Sequence, residues 1–241
     1  MSLSEIIAGF KEGATGAVEV AAACATAGII IGSITVTGLG LKFSSLIIDL
    51  SMGYLLLALP LTAVACLALG MGVPTTASYI IISSLAVPAL INYGVVAIAA
   101  HMFIFYFATR ADVTPPVALA AYAGAGIAGA NPSKTGYTAF WLGMAGYIIP
   151  FMFIYGPELM LRGSPLHILW ATLTATVGIV FLAAGVQRCM FLRTTWYESL
   201  MFFAGALLLI KPGLTTDLFG FAFGGFALAS QMLRNRKEMK S

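Results

Sequence analysis

The sequence predicts an all-α integral membrane protein, a polytopic helical bundle with a re-entrant hairpin and a broken helix. Three observations predict it. Hydrophobic residues make up 60% of the chain and charged residues 9%, with a mean hydropathy of +0.99. Soluble domains carry about a quarter charged residues, so this composition belongs in lipid. Apolar stretches recur at roughly the length a bilayer demands. Finally, two short polar runs interrupt them: Gly70-Met71-Gly72-Val73-Pro74-Thr75-Thr76 and Arg110-Ala111-Asp112-Val113-Thr114-Pro115-Pro116. Lipid does not tolerate unpaired backbone, so such breaks persist only where protein or a polar cavity covers them. Paired breaks point to an ion or substrate site.

Taken in order, residues 1–16 read as an interfacial lead-in helix, with Lys11 and Glu12 on a polar side. The first span covers about 18–38 and is rich in Ala, Gly and Thr, which let helices approach closely in lipid. Its Glu19 lies near an end, at the interface. A longer span covers 44–69, holds Asp49, Pro60 and Thr62, and stops at the first break. Residues 77–90 then make only a half-span, too short for roughly 30 Å of hydrocarbon. Asn92-Tyr93-Gly94 is a turn, 95–108 is again short, and after the second break so is 117–130. Short segments punctuated by Pro-containing breaks read as a re-entrant hairpin followed by an interrupted helix. Full spans with Pro kinks are the alternative.

Beyond the loop Asn131-Pro132-Ser133-Lys134-Thr135-Gly136, a span covers 139–155 and Gly156-Pro157-Glu158 ends it. Residues 166–187 form a plain span. Arg188 and Arg193 mark a basic loop, and 199–210 with 214–230 form a hairpin around Lys211-Pro212-Gly213. Asp217 caps the second helix of that hairpin or stays at the interface.

The net charge of +3 matters less than its placement. Arg188, Arg193 and the tail Arg234–Lys240 share one side if the hairpin crosses and returns, and the positive-inside rule makes that side cytoplasmic. Lys134 then falls inside, with Glu158 and Arg162 outside. The tail reads as a topology signal, not a nucleic-acid site. Cys24, Cys66 and Cys189 share no short spacing, and His101 and His167 are isolated, so neither a metal centre nor a disulfide framework is expected. Glu5 and Glu12 stand where a secretory leader would be basic. No H-E-x-x-H or G-x-S-x-G motif occurs, and no enzyme or cofactor is expected.

The breaks carry the chemistry. A helix that stops at membrane depth presents carbonyls suited to a hard cation such as sodium. The helix that resumes presents amides and a positive dipole end, suited to a carboxylate. Gly70 and Gly72 offer carbonyls without side-chain obstruction, and Thr75 or Thr76 a hydroxyl ligand or cap. Pro115 and Pro116 withhold two amide donors, leaving upstream carbonyls without their usual partners. Thr114 adds a hydroxyl. Asp112 is a ligand, a proton carrier or a partner to Arg110; alternatively, both charges pair at a water-filled mouth.

Gly70–Ala77 (Gly-Met-Gly-Val-Pro-Thr-Thr-Ala), Asp112–Val117 (Asp-Val-Thr-Pro-Pro-Val) and Ala130-Asn131-Pro132-Ser133 resemble the large membrane subunit of tripartite ATP-independent periplasmic (TRAP) transporters. The resemblance covers residues 1–163 and is closest to the fused permeases that work with TAXI-type binding proteins. Residues 164–241, with Pro212-Gly213, Asp217 and Gly220, are similar to the extra C-terminal helices of some fused permeases, followed here by the basic tail. The resemblance implies a sodium-driven elevator importer of organic acids in a bacterial or archaeal cytoplasmic membrane. It implies two inverted repeats, with ion coordination in the second mapping onto Gly70, Gly72, Thr75 and Thr76 and onto Asp112, Thr114 and Pro115. Thr114 is the clearest match. Ala118 stands where many relatives have Gly, and Asp112 where smaller residues are frequent.

The implied partners are a small TRAP membrane subunit or its fused equivalent and a periplasmic TAXI-type binding protein. With room for one repeat in 241 residues, the chain reads as a split-gene half that needs a separate first-half permease subunit, a truncated product or a fragment, and alone it is not expected to transport. Two other readings stand beside this one: an elevator-type organic-anion or ion transporter acting as a homodimer, and a non-transporting membrane scaffold. No residue is assigned to the substrate.

Overall fold

A computed structural model describes residues 2–210 and 213–238, and all regular structure within them is helical apart from one isolated bridge between Cys189 and Arg193. The expected polytopic helical fold is present. The chain forms two compact units, Met1–Pro132 and Ser133–Ser241.

The first unit contains α1 (Leu3–Thr37), α2 (Leu39–Leu50), α3 (Leu55–Gly70), α4 (Thr75–Asn92), α5 (Ala97–Ala111) and α6 (Leu119–Ala128). Ser2 caps α1: its hydroxyl accepts from the Glu5 amide, and the Glu5 carboxylate accepts from the Ser2 amide in return. α1 then runs unbroken through the boundary expected between a lead-in helix and a first span. It stops at Gly38, whose left-handed φ of 65° lets its amide reach back to the Ile34 and Thr35 carbonyls. The turn is sharp. Cys24–Thr37 and α2 are bent by 73°, together a broken span or a re-entrant loop.

The single span expected over 44–69 is two helices. Ser51 to Tyr54 separates α2 from α3, with Met52 at φ 53° and Gly53 at φ 77°. Without a proline, this turn gave little local warning. Ser51 and Tyr93 join hydroxyls, tying it to the end of α4. Around it, Ile47, Ala58 and Ala89 form a small core.

α4 packs on α5 through the turn at Tyr93–Gly94, so the expected hairpin is there. One arm is longer than expected. Pro88, inside the pattern, does not end α4, and its 18 residues give about 27 Å at 1.5 Å per residue, near the hydrocarbon thickness. Among the described residues, α4 and the 23-residue α9 (below) are long and apolar enough to cross alone.

The second unit begins with α7 (Pro132–Leu142), so the polar loop expected over 131–136 lies largely in a helix. The span expected over 139–155 is bent. A 3-10 turn at Met144–Tyr147 separates α7 from α8 (Ile149–Tyr155), and the two parts meet at 59°. After a second 3-10 turn at Pro157–Met160 come α9 (Pro165–Gln187), α10 (Trp196–Ile210) and α11 (Leu214–Glu238). Pro at the first position of α9 and the Ser164 cap, which accepts from the His167 amide, start that helix.

α9, α10 and α11 pack through glycines. A Cβ built on Gly205 of α10 would lie 2.9 Å from the Gly220 carbonyl oxygen of α11, and one on Gly224 would enter the Phe181 ring. Close backbone approach of this kind is how helices associate in lipid. Phe181, Leu182, Phe202, Ala206 and Leu209 fill the rest of the core. At one end, buried Glu198 accepts from the Thr195 amide (2.8 Å) and the Ser230 hydroxyl (2.9 Å) and pairs with Arg234 at 3.3 Å. Arg234 also donates to the Arg193 carbonyl at 2.6 Å, so the basic loop meets the end of α11. Lys211, Pro212 and residues 239–241 lie outside the described residues, as do the side chains of Glu19 and 235–238.

Candidate functional site at two helix breaks

Both breaks fall where Gly and Pro placed them, and folding sets them against each other. α3 ends at Gly70 and α4 begins at Thr75, with Gly72 at φ 76° making the turn. α5 ends at Ala111 and α6 begins at Leu119. A Cβ on Gly70 would lie 2.8 Å from the Ala111 Cβ and 2.9 Å from the Ser78 hydroxyl oxygen, so only hydrogen fits between these helix ends. Gly72 faces Val117 across the gap at 3.9 Å by the same measure.

A polar bond spans the junction. The Thr75 hydroxyl donates to Asp112 Oδ2 at 2.6 Å, joining the start of α4 to the end of α5. A short, charge-assisted bond of this kind fixes both partners. Arg110 lies the other way, donating to the Tyr106 hydroxyl at 3.3 Å with its guanidinium 5.3 Å from that ring centroid.

The two prolines leave less backbone unpaired than their missing amides suggest. In a continued helix the amides of residues 115 and 116 would serve the carbonyls of Ala111 and Asp112. Here the Ala111 carbonyl accepts from the Thr114 amide at 3.2 Å, and the Asp112 carbonyl accepts from the Ala120 amide at 3.1 Å. The buried Thr114 hydroxyl donates to the Arg110 carbonyl at 2.6 Å, which leaves its oxygen lone pairs in the role of acceptor. Pro115 is half-buried and joined to Pro116 by a cis peptide. Ala118, at φ 39° and fully buried, holds the left-handed position where α6 starts.

Of the residues singled out from sequence, Gly70, Gly72, Thr75 and Asp112 therefore make contacts across the junction. Thr114 and Pro115 form the second break itself. Thr76 is exposed. Two residues emerge only from the fold. The Ser78 hydroxyl is buried beside Gly70 and has no hydrogen-bond partner among the described residues. His101, isolated in sequence, meets the Tyr79 hydroxyl through Nδ1 at 3.0 Å, and Phe105 stacks edge-on against Tyr79. Ser78 and Tyr79 follow Thr75 by three and four positions, the spacing that puts residues on one helical face, and this was the available signal.

A multi-pass helical membrane protein with two helix breaks in contact is the class these observations define. A sequence profile of the family described as "Tripartite ATP-independent periplasmic transporter, DctM component" matches residues 1–168, and the chain belongs to that family. It thus belongs to a family of permease components of TRAP transporters, which are systems of several components. Neither a curated protein nor a solved structure matches the chain.

Proposed function

We propose that the chain is a permease component of a sodium-coupled, binding-protein-dependent importer of organic acids, and that residues 1–163 hold its second-repeat ion site. The reading rests above all on the Thr75–Asp112 bond, which brings a hydroxyl and a carboxylate from separate breaks to one place. Hard cations take oxygen ligands, and this junction concentrates them. The orphaned Ser78 oxygen beside Gly70 fits the same chemistry, since a buried hydroxyl without a partner is costly unless something occupies it. Gly70 and Gly72 supply carbonyls, Thr75, Thr76 and Thr114 hydroxyls, Asp112 charge, and Pro115 the break that exposes them.

Partner dependence belongs to the same proposal. The substrate is delivered by a periplasmic TAXI-type binding protein, and a small membrane subunit or its fused equivalent completes the transporter; where the first repeat is not on the same chain, a first-half subunit supplies it. The chain lies in the cytoplasmic membrane with its basic C-terminus inside, and residues 164–241 are accessory helices.

The test is the melting temperature of the purified chain in sodium against potassium chloride, with and without a candidate first-half subunit, for wild type and Thr114→Ala. Stabilisation specific to sodium that needs the subunit and disappears in Thr114→Ala is the expected result. An intact complex with no sodium response would refute the ion site.

A further inference from the structure

The second unit holds a cleft of about 470 Å³ lined by Glu158, Leu166, His167, Trp170, Ala171 and Asp217. One of its lining residues is an acid out of place. Asp217, expected at a cap or an exposed interface, is 2% exposed, in the first turn of α11. Its Oδ2 accepts from the Trp170 indole at 2.9 Å, while Oδ1 is buried without a hydrogen-bond partner among the described residues. A buried carboxylate oxygen left unmatched costs free energy until a donor reaches it.

We propose that this cleft binds an ammonium group, carried by a lipid headgroup or by a free amine. Three features select that chemistry. Asp217 supplies a fixed counter-charge with one buried acceptor unmatched, and Glu158 adds a second carboxylate to the lining. Trp170, held in place by its bond to Asp217 and packed against Phe221, offers an indole face, the best aromatic partner for a cation. Leu166 and Ala171 make much of the remaining wall apolar, suited to an organic cation more than to a strongly hydrated metal ion. Among the described residues no three of His, Cys, Asp and Glu gather as metal ligands. His167 in its neutral form is a further acceptor.

The test titrates the purified full chain with ethylammonium chloride, following tryptophan fluorescence, with potassium chloride at equal concentration as the control. In parallel, nanodiscs with and without phosphatidylethanolamine are examined by native mass spectrometry for retained lipid. Saturable binding of ethylammonium is expected, absent with potassium and silent in Trp170→Phe. Asp217→Asn should weaken it roughly 30-fold or more, as for loss of one partner of a buried charge pair. Retained phosphatidylethanolamine, lost in Asp217→Asn, would assign the site to a lipid; ethylammonium binding without retained lipid would assign it to a free amine. Should Asp217→Asn not fold, Glu158→Gln should still weaken binding about threefold, the scale of a partly exposed charge. An equal response to potassium, no binding of either probe, or folded variants with wild-type affinity would overturn the proposal.

Discussion

The two units treat helix-to-helix contact in opposite ways. In the first, α3 and α5 end at breaks, and those ends meet the following segments through a carboxylate, hydroxyls and re-paired carbonyls at 70–78 and 110–120. In the second, glycines bring α9, α10 and α11 into close backbone contact. Polar pairing at helix ends has alternatives in water and ions, so such a junction can exchange partners. Backbone-to-backbone packing has no substitute partner, so it fixes a structure.

The largest test of this contrast lies in the second unit. Glu198→Ala removes the acceptor shared by Thr195, Ser230 and Arg234 and should cost about 3 kcal/mol, the low end for disrupting a buried charge pair, because Arg234 is partly exposed. Thermal or denaturant unfolding in detergent measures it, and a loss under 1 kcal/mol would show that this network holds little.

Gly205→Ala comes next, at about 2 kcal/mol, because its methyl meets the Gly220 backbone, not a movable side chain. Gly225→Ala, with nothing within 4 Å of a Cβ, is the control and should be neutral or slightly stabilising. Equal effects at both positions would break the claim that glycine packing holds this unit.

In the first unit the same chemistry should read out differently. Gly70→Ala inserts a methyl against Ala111 and Ser78 and should cost about 1–2 kcal/mol, and it should also abolish the sodium-dependent shift. Asp112→Asn keeps an acceptor for Thr75 and should cost about 1 kcal/mol or less, yet remove the sodium response. If both variants lose stability but keep that response, the junction is structural.

The smallest effect has the opposite sign. Ala118→Gly relieves a left-handed alanine and should raise stability by about 0.5 kcal/mol, after the entropy cost of glycine is subtracted. A decrease would mean that the buried methyl contributes more than the backbone strain costs.

What could be read from the residues follows from how local each signal is. Both breaks were legible because Gly70, Gly72 and Pro74, and then Pro115 and Pro116, act on their own backbone. The plain span at α9 was legible from apolar length alone. The turn at 51–54 was not, because a left-handed Met52 is held by the fold, with Ser51 bonded to Tyr93 from 42 positions away. The arm expected over 77–90 is instead 18 residues, Thr75–Asn92, packed on α5. Asp217 looked interfacial because nothing in its neighbourhood announces Trp170.

By itself, the sequence determined that the protein is helical, lies in a membrane and breaks its helices at two polar runs, since composition, Gly and Pro act locally. Only the tertiary structure decided that Thr75 meets Asp112 across 37 positions, that Trp170 meets Asp217 across 47, and that Gly205 lies on Gly220. Those pairings depend on how whole helices pack, and no window along the chain contains both partners.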